Sequence, residues 1–143
     1  MTSRQATAPD LAAALRAAGM RVTTTRQRVY AALTRIPHAT PEALIEAVNA
    51  IAPPVPPSSV YRALEALEAA GLVTHTHLDH HAPTYHPADH HRHLHLVCRV
   101  CGSVAESDVA LAEDLVAALE RRYAFAADVT HMAIQGECST CRT

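Results

Sequence analysis

Two CxxC pairs, Cys98/Cys101 and Cys138/Cys141, stand 36 residues apart and constrain this chain more than any other feature. Each pair lets two thiolates reach one ion from a tight turn, and the two together make an S4 set suited to tetrahedral zinc. Such a structural site ties the C-terminal tail to the start of a second domain, closing a loop whose entropy a metal offsets. A thioredoxin-like redox motif is disfavoured, because neither pair opens a helix after a parallel strand. Composition makes a staple useful. Of 143 residues 49% are apolar, yet there is no Trp, one Phe and four Tyr. Cores must be built from Leu, Val, Ile and Ala, and small cores of that kind often need a metal or a partner subunit.

Charge narrows the partners. Lysine is absent, so all twelve Lys/Arg positions are Arg. Residues 1–88 hold seven Arg against six Asp/Glu, giving +1, and residues 89–143 hold five against eight, giving −3. A nucleic-acid surface therefore belongs in the first half and must be a local patch. No stretch approaches the roughly 18 apolar residues of a membrane span. The N-terminal MTSRQATAPD has no hydrophobic signal core, so the chain is expected to stay in the cytoplasm, where four Cys point to metal before disulfide.

The first 70 residues read as punctuated helices. Asp10 caps a helix running to Ala18, with Leu11 and Leu15 on one face and Gly19 as the stop. A second begins at Thr24 or Thr25, carries Val29, Leu33 and Ile36, and ends before Pro37. Thr40-Pro41 opens a third with Leu44, Ile45 and Val48. The run Pro53-Pro54-Val55-Pro56-Pro57 makes a stiff connector. A fourth helix spans about Ser58 to Ala70. At about 100° per residue, Val60, Ala63, Leu64, Leu67 and Ala70 gather on one side, and Ser58, Tyr61, Arg62, Glu65 and Ala69 on the other. A buried aliphatic face opposite a Ser/Tyr/Arg face suits the major groove.

After Gly71 the period changes to two. Leu72–Leu78 and Pro83–His86 form a hairpin, the wing, and 91–97 is extended. Val104–Glu106 is a short strand, and a fifth helix spans Asp108–Tyr123 with Leu111, Leu115, Ala118 and Leu119 inward. A final strand covers 128–134. The fold class is α+β, with domains at 1–87 and 88–143.

Ten of eleven histidines lie between His38 and His95. His75 and His77 alternate on one wing strand, and His91, His93 and His95 on the strand before Cys98, so each set projects from one face. His131 lies in the last strand and His38 between the second and third helices. Strand packing does not favour clustered imidazoles, whereas neutral imidazoles are good ligands for zinc, nickel, copper or iron. A zinc enzyme would need H-E-x-x-H, or H-x-E with P-C-x-x-C. Neither occurs, and no Glu lies near the histidine clusters. A histidine-rich metal store would not need the Tyr61/Arg62 face.

Gly19-Met20-Arg21-Val22-Thr23, Arg26, Pro37-His38-Ala39-Thr40, Ser58-Ser59-Val60-Tyr61-Arg62-Ala63-Leu64, Gly71-Leu72-Val73, Tyr85 and His93-Leu94-His95-Leu96-Val97-Cys98-Arg99-Val100-Cys101 together resemble the ferric uptake regulator family over about residues 10–141. The resemblance implies a winged helix-turn-helix followed by a small α/β dimerisation domain, an S4 zinc, and a homodimeric repressor that binds A/T-rich inverted-repeat operators in double-stranded DNA when its regulatory metal is present. It implies that Tyr61 and Arg62 read the major groove beside Ser58 and Ser59, and that Arg21 reaches the backbone or minor groove.

The family's iron sensors carry His-Asp-His where this chain has His93-Leu94-His95, and Arg92 stands where they have another His. The stretch from Thr74 to His86 instead resembles the family's nickel-responsive branch in actinobacteria. That resemblance implies a regulatory nickel on His75, His77 and His131, and a second regulatory site on His38, His91, His93 and His95 that suits zinc or another divalent ion. A metal joining the two halves would fix the spacing of the dimer's recognition helices, so metal and DNA would strengthen each other's binding. A zinc- or iron-responsive regulator of the same family is the alternative.

Overall fold

The computed structural model describes residues 10–36, 38–51, 53–78, 82–88, 93–130 and 132–142. Among these, five α-helices and two sheets give the α+β class expected. The chain divides into two compact units, Met1–His75 with Thr84–His90, and Thr76–Pro83 with His91–Thr143.

In the first unit, α1 (Leu11–Ala17), α2 (Thr24–Arg35), α3 (Pro41–Asn49) and α4 (Pro57–Ala69) follow their local signals closely. The Asp10 carboxylate accepts from the amides of Ala12 and Ala13, Thr23 Oγ1 from Arg26, and Thr40 Oγ1 from Ala43. These caps satisfy donors that a helix start leaves unpaired. Gly19 takes φ +73°, the left-handed geometry that ends α1 without a Cβ penalty. The fourth helix begins one residue earlier than expected, at Pro57, because proline at the first helical position loses no hydrogen bond. The connector before it is tied to α2 and α3: the Val55 amide donates to Asn49 Oδ1 (2.7 Å), and the Arg28 guanidinium donates to the carbonyls of Val48 and Pro53.

Leu15, Val29, Leu33, Leu44, Val60, Leu64 and Leu67 are completely buried and form one core. Each contributes about 1.5–3 kcal/mol through lost water contact. Two short strands, β1 (Val73–Thr76) and β2 (Thr84–Pro87), pair as the hairpin. An antiparallel bridge between Ala39 and Tyr85 ties the approach to α3 onto β2.

The second unit holds a sheet in the order β4-β3-β5, from β3 (His93–Cys98), β4 (Val104–Asp108) and β5 (Ala133–Gly136). The central strand runs antiparallel to β4 and parallel to β5, the parallel return being made through α5 (Glu113–Tyr123). Its buried cluster is small: Leu94, Ala112 and Val129, with Val109, Val116 and Met132 packed against them.

Two expectations change here. The fifth helix is preceded by a 3₁₀ turn, Val109–Ala112, because the Asp108 carboxylate caps Ala110 and tightens the first turn. The inward face is therefore Ala112 and Val116, while Leu111 and Leu115 are exposed. The last strand starts at Ala133, not near 128. Asp128 accepts from both the amide and the hydroxyl of Thr130, and this local turn displaces strand pairing. Among the described residues no helix is long and apolar enough to cross a membrane.

Candidate metal centres and nucleic-acid interface

The two CxxC turns meet because β3 and β5 lie side by side, with Cys98 opposite Gly136. Beyond this pair the Arg99 amide donates to the Gly136 carbonyl (2.8 Å), so the Cys98 turn and the Cys138 turn leave the same end of the sheet. Gly102, at φ +73°, closes the first turn. All four Sγ atoms lie within 4.8 Å of one another, and none is in a disulfide. Cys101 and Cys138 Sγ are 3.8 Å apart, close to the roughly 3.8 Å edge of a tetrahedron with Zn–S bonds of about 2.3 Å.

Electrostatics favours a cation at this spot. Backbone amides of Cys101, Cys138 and Val100, in that order, hold the Cys98 thiol down to about 6, whereas hydrogen bonding to the Cys138 and Cys101 thiols pushes Cys141 up to about 12. Four thiolates crowded together need a positive ion to coexist, and these residues fit zinc in both donor type and spacing.

On β3, His93 and His95 are buried on one face with their Nε2 atoms 3.1 Å apart. Leu94 faces the opposite way, into the apolar cluster. The β4 register sets Glu106 opposite His95, and its carboxylate lies 3.7 Å from His93 Nε2. In the first unit, His38 holds a left-handed backbone at φ 61°, a strained geometry for a non-glycine residue. Its ring lies 5.3 Å from that of His86, which is buried on β2.

His75 is half-buried on β1. Its Nδ1 meets a carboxylate oxygen of Glu68, from the last turn of α4, and the Tyr85 ring lies 5.7 Å away. His77 does not share that strand. The ladder with the four-residue β2 runs out at Thr76, leaving His77 beyond it and exposed. The expected ligands His91 and His131 lie outside the described residues.

Glu68, His86 and Glu106 are absent from the sequence-derived sites. The expectation that no Glu lies near the histidines is overturned by the contacts of Glu68 with His75 and of Glu106 with His93. Period-two alternation along β2 could have exposed His86. The two glutamates depend on packing and register, which local patterns do not carry.

The α4 surface follows its helical wheel. Val60, Ala63, Leu64 and Leu67 are buried, while Ser58, Tyr61, Arg62, Glu65 and Ala69 are exposed and Ser59 is half-buried. Tyr61 donates its hydroxyl to Glu42 on α3 (3.3 Å), which fixes the phenol's direction. Arg21 is exposed in the turn before α2, and the Arg26 guanidinium donates to its carbonyl. A helix with hydroxyl, phenol and guanidinium groups on one open face can engage phosphates and base edges.

Residues 17–135 match the model of the ferric uptake regulator family. The transcriptional regulator FurA of Mycobacterium tuberculosis is 35% identical over 133 residues, covering 93% of this chain and 90% of that protein. The zinc uptake regulation protein of the same organism is 37% identical over 87 residues, 60% of this chain and 66% of that protein. The crystal structure of the Vibrio cholerae ferric uptake regulator superposes with a TM-score of 0.75 at 27% identity, over 90% of this chain and 100% of that one.

Proposed function

The chain belongs to the ferric uptake regulator family of metal-responsive transcription regulators, and from that premise we propose that it is a nickel-responsive, dimeric repressor of A/T-rich inverted-repeat operators. The observation that carries the DNA-binding half is the exposed Ser58/Tyr61/Arg62 face of α4 set against a fully buried aliphatic stripe. Ser59 and Arg21 would add contacts at its edges. The division at 87/88 into a DNA-binding and a dimerisation domain, and action in the cytoplasm, belong to the same reading. Leu96, Leu111, Leu115 and Ile134 are exposed in the second unit, the apolar surface a second copy of the chain would cover.

Cys98, Cys101, Cys138 and Cys141 would hold a structural zinc. His75, His77 and His131 would hold the regulatory nickel, supported by the all-imidazole donor set, which fits nickel's preference for nitrogen ligands. His38, His91, His93 and His95 would form the second regulatory site, with zinc or another divalent ion. A bound ion supplies a fixed positive centre to which these side chains orient. The chain's own contribution is to present neutral imidazoles and, on α4, the DNA-reading groups.

A second reading, a zinc- or iron-responsive regulator, is favoured by Glu106. Its carboxylate beside His93 offers an oxygen donor that iron(II) accepts readily, although Leu94 stands where the family's iron sensors carry Asp. The deciding experiment starts from chelator-treated protein that retains its S4 zinc. Nickel, iron(II), manganese(II) or zinc is returned singly, and binding to an operator duplex and a scrambled duplex is measured. Restoration by nickel at lower free-metal concentration than by the others supports the nickel reading. Restoration by zinc or iron first replaces it.

A further inference from the structure

The contact between Glu68 and His75 has a chemical direction. An ionised carboxylate only accepts, so the Nδ1 atom it meets carries a hydrogen, and in the neutral ring Nε2 is then the nitrogen with the lone pair. The imidazole is therefore held in one tautomer. A carboxylate behind a histidine ring in this way fixes its orientation and raises the basicity of the opposite nitrogen. The Tyr85 ring lies 5.7 Å from that of His75.

We propose that Glu68 is a positioning residue for the regulatory metal: it presents His75 Nε2 as a ligand and ties that ligand to the recognition helix. This rests on the reading of His75 as a ligand. Glu68 lies in the last turn of the same α4 whose exposed face carries Tyr61 and Arg62, so a constraint on His75 is also a constraint on α4. The bond is a coupling element rather than a strut. Both side chains are more than a third exposed, at 37% for Glu68 and 39% for His75, and exposed ion pairs contribute little to stability. Removing the carboxylate therefore disturbs the metal response without unfolding the protein.

The test uses full-length, zinc-loaded protein with the regulatory sites emptied. Long-range nitrogen–proton NMR correlations on the His75 ring read its tautomer directly. The wild type should show the Nδ1–H form, and Glu68→Ala a mixture shifted toward Nε2–H. Nickel affinity, measured by chelator competition, should weaken by roughly 10- to 100-fold in Glu68→Ala. Glu68→Gln keeps an accepting oxygen without the charge and should fall between the two. The melting temperature should be the same in all three. An unchanged tautomer in Glu68→Ala overturns the proposal, as does an unchanged nickel affinity in a protein whose nickel binding is abolished by His75→Ala. If His75→Ala binds nickel as the wild type does, the ligand reading itself fails and the proposal falls with it. That result is distinguishable, because the tautomer shift on removing Glu68 would remain.

Discussion

Cys101 and Cys138 hold their sulfurs 3.8 Å apart across 37 positions of sequence, a separation set by the side-by-side β3 and β5. Among the described residues the apolar cluster of the same unit has three buried members, Leu94, Ala112 and Val129, too few to hold a sheet and a helix together unaided. Metal binding then becomes folding energy. The protein should purify with about one tightly held zinc per chain, and Cys138→Ser should lose zinc, second-unit structure and dimerisation together. Metal analysis with hydrogen exchange over β3–β5 checks this. A zinc-free Cys138→Ser protein with wild-type protection would remove the structural role.

Tyr85 sets a pH limit on the first unit. Burial raises its phenol above the usual value of 10, with the negative charges of Glu68 and Glu65 adding to the effect. Below pH 10 the phenol is neutral in both folded and unfolded chains and contributes no pH dependence. Above it the unfolded chain gives up the proton while the folded one retains it, so stability falls as pH rises. Denaturant unfolding between pH 9 and 11 should show this decline, and Tyr85→Phe should flatten it. An equally steep decline in Tyr85→Phe would assign the effect elsewhere.

What could be read from sequence was what local chemistry controls. Asp10, Thr40 and Gly19 bound their helices through contacts within three residues, so α1 and α3 stand close to where these signals place them, and α2 starts at the expected Thr24 behind a Thr23 cap that the sequence pattern did not single out. The α4 stripe was legible because burial on one face leaves a helical period. The strand expected over 128–134 was not, since Asp128 and Thr130 make a turn whose advantage over pairing depends on where β3 lies. Likewise Leu111 and Leu115 carry a helical pattern that is not buried by their own chain, as expected of a surface patterned for a partner. Glu68 and Glu106 approach histidines only through packing and strand register, and no spacing rule brings them forward.

Arg62 is exposed on α4, one residue past Tyr61. If it reads a base edge, Arg62→Ala should reduce discrimination between operator and scrambled duplex by about 1–3 kcal/mol. If it meets only phosphate, both affinities should drop alike and the salt dependence should flatten by one charge. Binding titrations on both duplexes at several salt concentrations separate the two, and equal losses would move base recognition to Tyr61 or Ser58.

Zinc accepts imidazole as readily as nickel does and has no geometric preference, so tight binding alone decides nothing. Nickel(II) reports its own surroundings, because tetragonal and tetrahedral sites give different d–d absorption. A site built on His75, His77 and His131 should give the tetragonal spectrum in the wild type. His75→Ala and His77→Ala should each lose that spectrum and nickel-dependent DNA binding, while the S4 zinc and the dimer persist. The second site provides the control: His93→Ala and His95→Ala remove two imidazoles that lie 3.1 Å apart in the second unit and should leave the nickel spectrum in place. If the spectrum survives in the His75/His77 double variant but vanishes with His93 and His95, nickel occupies the β3 histidines. The zinc- or iron-responsive reading, with Glu106 as the neighbouring oxygen donor, then becomes the better account.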